Sequence, residues 1–227
     1  MRLRPPNQFN DPRPRAILRS MPTSAGARPG GDAALIQIVD AAMAEAARKS
    51  GDWLVCRAGC YECCIGPFPI SQLDALRLRE GLAELERRDR PRAQRVRQRT
   101  RDYLARFGPD FPGDPETGVL EEGDEAEESF AAFADEALCP VLDPEAGTCD
   151  LYAARPMTCR IFGPPVRSAD EAVGVCELCF HGATDEQIAG CEVEVDPDGL
   201  ESKLVGELER ATGVRGDTIV AFALMGE

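Results

Sequence analysis

The chain has 227 residues, with 40 acidic against 26 basic ones and a formal charge of −14, a balance that argues against general nucleic-acid binding and against docking on an anionic membrane. No apolar run nears the roughly 20 residues that span a bilayer; the tightest cluster, Ile219 to Leu224, is far shorter. The composition, 43% hydrophobic and 29% charged, is that of a soluble globular domain, and without an apolar stretch of signal-peptide type before Gly30 the expected location is the cytoplasm.

Residues 1–31 hold six prolines and three glycines with no apolar period, which predicts a disordered N-terminal tail ahead of a single domain over 32–227. Asp32 is the expected N-cap of a first helix, because Leu35, Ile38, Val39, Ala42, Met43 and Ala46 recur at three- and four-residue intervals to about Lys49. Ser71, with Asp74 three residues on, caps a second helix running to about Arg88, and Pro91 opens a third, the two forming a helical hairpin. Eleven arginines against five acids lie between Arg77 and Arg106. A solvated face explains such a run, and a surface for an acidic protein partner at helices 77–106 is the competing reading. Nine acids and no basic residue follow between Asp110 and Glu128, so 109–130 reads as a flexible acidic insertion. From Leu138 the segments are short and turn-rich, with a hairpin expected across Asp143 to Gly147, and Leu200, Leu204, Leu208 and Ala211 mark a last helix ending at Gly213. The predicted fold class is mainly α with small irregular β elements, a compact cysteine-rich domain stapled by metal.

Ten cysteines face a single histidine, His181. In a reducing compartment clustered thiols hold metal or do redox chemistry more often than they form disulfides, and soft ligands select zinc, copper(I) or iron–sulfur clusters. Cys56, Cys60, Cys63 and Cys64 form the densest group; on an α-helix their sulfurs would point near 0, 40, −20 and 80 degrees, at about 100 degrees per residue. All four then share a face, either as ligands or as a buried stripe of small apolar side chains. The adjacent Cys63 and Cys64 diverge, which suggests two neighbouring ions, a cluster, or one ligand and one bystander. Cys139, Cys149 and Cys159 follow at spacings of ten, then Cys176, Cys179 and Cys191. Arg155 and Arg160 flank Cys159 and are candidates to offset the negative charge of a thiolate-bound cofactor, with surface solubility as the alternative. His181 either completes a zinc knuckle with Cys176 and Cys179 or is a polar loop residue.

Taken together, Cys56-x3-Cys60-x2-Cys63-Cys64, Cys139-Pro140-x-Leu142 and Cys149-x2-Tyr152-x2-Arg155-Pro156-x2-Cys159-Arg160 resemble the bacterial and archaeal cysteine-cluster family of zinc- or iron-chelating domains, often termed iron–sulfur oxidoreductases. The resemblance covers about residues 53–165. It implies a metal role for Cys56, Cys60, Cys63, Cys64, Cys139, Cys149 and Cys159, and supplies no reaction. The long charged segment before Cys139 departs from the pattern, and Cys176, Cys179 and Cys191 fall beyond the shared core. A related cluster in flagellin lysine methylases extends the implication to modification of another protein.

The Cys56-x3-Cys60-x2-Cys63 spacing is also that of radical S-adenosylmethionine enzymes, but Glu62 stands where those carry an aromatic residue and no repeated strand–helix pattern is present. Phosphate-binding, dinucleotide and paired-histidine protease signatures are missing. Two expectations remain. In the first, an iron–sulfur cluster, with [4Fe-4S] favoured, is held by the Cys56–Cys64 group and closed by Cys139, Cys149 and Cys159, with Cys176 and Cys179 as further candidate ligands, in a redox or protein-modifying role. In the second, the same thiolates hold zinc in a structural or binding module.

Overall fold

A computed structural model describes residues 27–167 and 173–225. The expected tail at 1–31 therefore lies almost wholly outside the described residues. Helix α1 (Asp32–Ser50) is followed by the first cysteine segment, and helices α2 (Gln72–Arg88) and α3 (Arg90–Phe107) pack side by side. Ser71 caps α2 by accepting the Asp74 N–H at 3.2 Å, and Pro91 occupies the first turn of α3, as the sequence predicts. The apolar faces of α2 and α3 meet through Leu78, Leu82, Leu85, Ala93 and Val96, and this cluster also holds Val141, Leu151 and Val220.

Asp32 is not the N-cap of α1. Gly31 holds that position without a side-chain bond, and Asp32 is the first helical residue. Its carboxylate instead accepts from Arg77, through Nε at 2.8 Å and Nη2 at 2.5 Å, while Arg77 Nη1 donates to Asp74 at 2.6 Å. The three side chains are 2–4% exposed. Asp74 also accepts the Met157 N–H at 2.9 Å, so this buried triad joins α1, α2 and α5 (Met157–Ile161).

The acidic segment at 109–130 carries secondary structure of its own. Strands β1 (Gly113–Asp114) and β2 (Val119–Leu120) pair antiparallel, and helix α4 (Asp124–Ala132) follows. The physical reason is a set of aromatics that anchor its two ends. Phe111 lies against Phe222 at 4.1 Å between ring centroids and meets Phe133 edge-on at 5.8 Å. The Leu120 N–H donates to the Asp217 carbonyl at 2.8 Å. Phe222 belongs to α8 (Val220–Ala223), the short buried helix within the Ile219–Leu224 cluster.

The predicted hairpin forms as β3 (Leu142–Asp143) against β4 (Thr148–Cys149). A third small sheet has β5 (Val166–Arg167) at its centre, antiparallel to β6 (Val173–Gly174) and parallel to β7 (Val193–Glu194). Helix α6 (Asp185–Cys191) precedes β7, and α7 (Leu200–Thr212) ends at Gly213 in the left-handed conformation. The architecture is mainly helical with small strands, in keeping with the expected class. No described helix is long and apolar enough to cross a membrane.

Candidate metal centre

The cysteines sit on turns, on the end of strand β4 and in the short helices α5 and α6. Residues 56–64 do not form an α-helix: Gly59, at φ +91, breaks the segment, and only Glu62–Cys64 winds into a single 3-10 turn. Without a helix the common-face geometry does not hold, and the sulfurs are distributed by turns instead. The Cys60 N–H closes onto the Arg57 carbonyl at 2.9 Å and the Cys64 N–H onto the Tyr61 carbonyl at 2.7 Å. The segment then docks on the start of the second cysteine region, where Cys139 N–H donates to the Cys64 carbonyl at 2.8 Å and Ile65 bridges Leu138.

The β3–β4 hairpin places Cys149 at the end of one strand, paired to Leu142, with Cys139 leading into the other. Both pack against the α2–α3 core. The hairpin is clamped from behind by Asp150, whose side chain is fully buried and is held by Arg92 and, at 2.5 Å, by Arg99. Arg99 also donates to the Pro140 carbonyl at 2.8 Å. At its tip Gly147 (φ +63) touches the other cysteine segment, where an added Cβ would stand 3.3 Å from the Gly59 backbone.

Cys63, Cys139, Cys149 and Cys159 interact electrostatically in every pair: Cys149 and Cys63 raise the Cys139 thiol, Cys63 raises that of Cys149, and Cys139, Cys149 and Cys63 all raise that of Cys159. Burial is the larger cause: it pushes Cys139 up to about 12 and Cys149 to about 11, and it raises Cys159. For Cys63 the hydrogen bond to the Cys64 thiol comes first and burial second. Opposing these, the Val141 N–H donates to the Cys139 sulfur and the Leu151 N–H to that of Cys149, while Arg99 and Arg155 lower the two thiols respectively. Cys56 links this set, through Cys63, to Cys60, Cys176 and Cys179. Cys56 is raised by burial first, then by Cys60, Cys63, Cys179 and Cys176. Cys179 is hydrogen-bonded to Cys176 and accepts the Val55 and Cys56 N–H groups.

The remaining candidates take varied places. Cys64 contributes a hydrogen bond to Cys63 and its carbonyl to Cys139. Cys191 is buried beside Trp53, Leu54 and Ile188, and its thiol donates to the Lys49 carbonyl at 3.4 Å. Arg155 lies over the Tyr152 ring at 4.0 Å and acts on Cys149. Arg160 is buried with Nη1 2.9 Å from Asp40 and Nη2 on the Ala153 carbonyl at 2.5 Å, a link between α1 and α5. His181 is exposed on a turn. Asp150, Arg92 and Arg99 were not singled out by the spacing of the cysteines; the adjacency of Asp150 to Cys149 is the only local signal.

The donor chemistry suits a soft metal: ten free thiols, backbone N–H groups aimed at sulfur, and guanidinium groups near the buried set. The fit is one of chemistry and grouping. Among the described residues no three His, Cys, Asp or Glu side chains are closed around one ion position. Val55, Tyr61, Ile65, Leu138, Phe162 and Leu178 are all exposed, and each lies within three positions of a cysteine.

No curated protein and no solved structure matches the chain. A family model does match residues 55–179, more than half of the sequence, and its span reaches past Cys159 to take in Cys176 and Cys179. The shared core is therefore longer than the 53–165 expected from the motifs, and the chain belongs to the CxxCxxCC family, described as a zinc- or iron-chelating domain, which makes it a metal-chelating protein.

Proposed function

We propose that the metal this chain chelates is an iron–sulfur cluster, [4Fe-4S], bound by Cys63, Cys139, Cys149 and Cys159, in a redox or protein-modifying role. What supports the reading is that each of these four thiols lies within electrostatic reach of the other three, with Cys139 and Cys149 packed on the α2–α3 core. A [4Fe-4S] cluster takes four thiolates, and when bound it supplies one-electron chemistry at a potential set by hydrogen bonds to sulfur, charge and exposure.

The chain's own residues meet those requirements. The four ligands come from separate segments, unlike the short-spaced pairs typical of structural zinc. Val141 and Leu151 N–H groups stabilise negative charge on Cys139 and Cys149, and Arg99 and Arg155 offset it further. Tyr103 lines a small cavity beside Cys139, and Cys139 and Cys149 pack on the α2–α3 core. Because burial holds the free thiols protonated at neutral pH, loading releases protons to solvent.

Purification without oxygen, followed by iron, acid-labile sulfide and visible absorption, tests this directly. The expected result is about four iron and four sulfide per chain, with a visible absorption that fades on reduction. Iron-free, colourless protein whose Cys139 and Cys149 are protected by zinc would overturn it in favour of a purely zinc-chelating module.

A further inference from the structure

We infer that the cleft between helix α3 and the β3–β4 hairpin binds a small apolar monocarboxylate, held by Arg106 and the hydroxyl of Tyr103. The cleft measures about 240 Å³. Its helical wall follows from the α-helical repeat, because Arg99, Asp102, Tyr103 and Arg106 stand at positions i, i+3, i+4 and i+7 of one side of α3. The site employs no thiol and no metal, so it stands apart from the iron–sulfur reading.

Two hydrogen-bond donors are left without a partner on that wall. Arg99 is engaged by Asp150 and the Pro140 carbonyl, but Arg106 makes no ion pair among the described residues. Its guanidinium lies over the Phe107 ring, 4.8 Å from the centroid, which fixes the charge at the edge of the cleft. Tyr103 is only 8% exposed, and among the described residues its hydroxyl makes no hydrogen bond. A phenol so buried ordinarily has a partner, and the cleft it lines is where a ligand supplies one.

The opposite wall offers hydrocarbon instead. The Cys139 N–H is bound to the Cys64 carbonyl at 2.8 Å and the Leu142 N–H to the Cys139 carbonyl at 3.0 Å, while Pro140 and Pro144 have no N–H to give. Leu138, 44% exposed, borders the same space. One free guanidinium and one hydroxyl match the two oxygens and single charge of a carboxylate. Asp102, whose carboxylate accepts from Gln98 at 2.8 Å on the same side, disfavours a dianion such as phosphate by like-charge repulsion. The single free charge is also too little for an acidic polypeptide. Apolar walls select a hydrocarbon or aromatic body, and a volume below the roughly 300–1,000 Å³ of drug-sized sites limits it to one ring or a short chain.

Fluorine NMR of para-fluorobenzoate with the full chain, purified without oxygen, tests the site, with para-fluorobenzyl alcohol as the uncharged control. The carboxylate is expected to broaden saturably with a Kd of about 1 mM, and the alcohol to bind at least about tenfold more weakly. Arg106→Met, a change at an exposed position, should weaken the carboxylate at least about tenfold with helical circular dichroism intact. Tyr103→Phe, which keeps the ring, should weaken it about threefold to tenfold. Absence of saturable broadening in wild type overturns the inference. So does unchanged affinity in either variant, the result expected if the carboxylate went to a metal at the cysteines. Displacement of the probe by hexaglutamate at lower concentration than by unlabelled benzoate also overturns it, in favour of an acidic polypeptide docking there.

Discussion

Glu201, at the second position of α7, is surrounded by carboxylates: Asp74, Asp196 and Asp217 raise its pKa behind the larger effect of burial, and only Arg77 opposes them. Its carboxyl is pushed from an ordinary 4.5 to about 7. The folded state therefore holds this proton more tightly than the unfolded chain, so the contribution favours folding below about pH 4.5 and is lost as pH rises through about 7. Glu201→Gln, which mimics the protonated form, is expected to raise stability at pH 8 by about 1 kcal/mol after allowance for solvent screening, and to leave it unchanged at pH 4.5. Thermal melts of both proteins across that range are the check, and equal melting temperatures at pH 8 would contradict it. Gly147 poses a steric question. At φ +63 with the Gly59 backbone 3.3 Å from an added Cβ, Gly147→Ala strains both the turn and the contact between the two cysteine segments. A loss of about 1–2 kcal/mol in denaturant unfolding is expected.

At the scale of elements, the β3–β4 hairpin depends on a single carboxylate. Asp150 is completely buried between Arg92 and Arg99, so Asp150→Asn keeps the shape and removes the charge that both guanidinium groups face. Breaking a buried pair of this kind costs about 3–5 kcal/mol, and because both arginines keep some exposure the expected loss is nearer 2–3 kcal/mol. The variant should also release metal to a chelator faster than wild type although Asp150 is no ligand; an unchanged release rate would show that the clamp does not support the hairpin. This element also shows what was legible in the sequence. Ser71, Pro91 and the leucine period of α7 announced their helices through local chemistry, and Asp143 to Gly147 announced the turn. Asp32 misled because a capping residue type was recruited by Arg77 from another helix, a long-range event that no local pattern records. The arginine run was equally opaque: Arg77, Arg92 and Arg99 are engaged inside the fold, while Arg87, Arg88 and Arg90 sit exposed beside glutamates. Cysteine spacing marked the thiols but not which of them interact, because Cys63, Cys139, Cys149 and Cys159 are brought together by long-range contacts such as the Cys139–Cys64 backbone bond.

For the molecule as a whole, the described core lies in three apolar clusters built from the helices and α8, and a fourth, much smaller one around Cys179 and Cys191. The helical clusters combine leucines, valines and phenylalanines from several elements, together with the buried Asp32–Arg77–Asp74 triad. Apart from Cys159 in α5 and Cys191 in α6, the cysteine segments have short strands and single turns, with several exposed apolar side chains beside them. Stability should then be uneven, with metal binding supporting the thiol face and apolar packing the helical body. Stripping metal from the reduced protein is expected to expose the amides of Cys60, Cys64, Cys139 and Cys179, whose backbone bonds close the cysteine turns, to fast hydrogen exchange. The amides of α2 and α3 should keep most of their protection. Exchange measured by mass spectrometry before and after chelation separates the two layers. Uniform loss of protection would mean that metal binding and the helical core fold as one unit, so that the hydrophobic contacts of α2, α3 and α8 are insufficient without it.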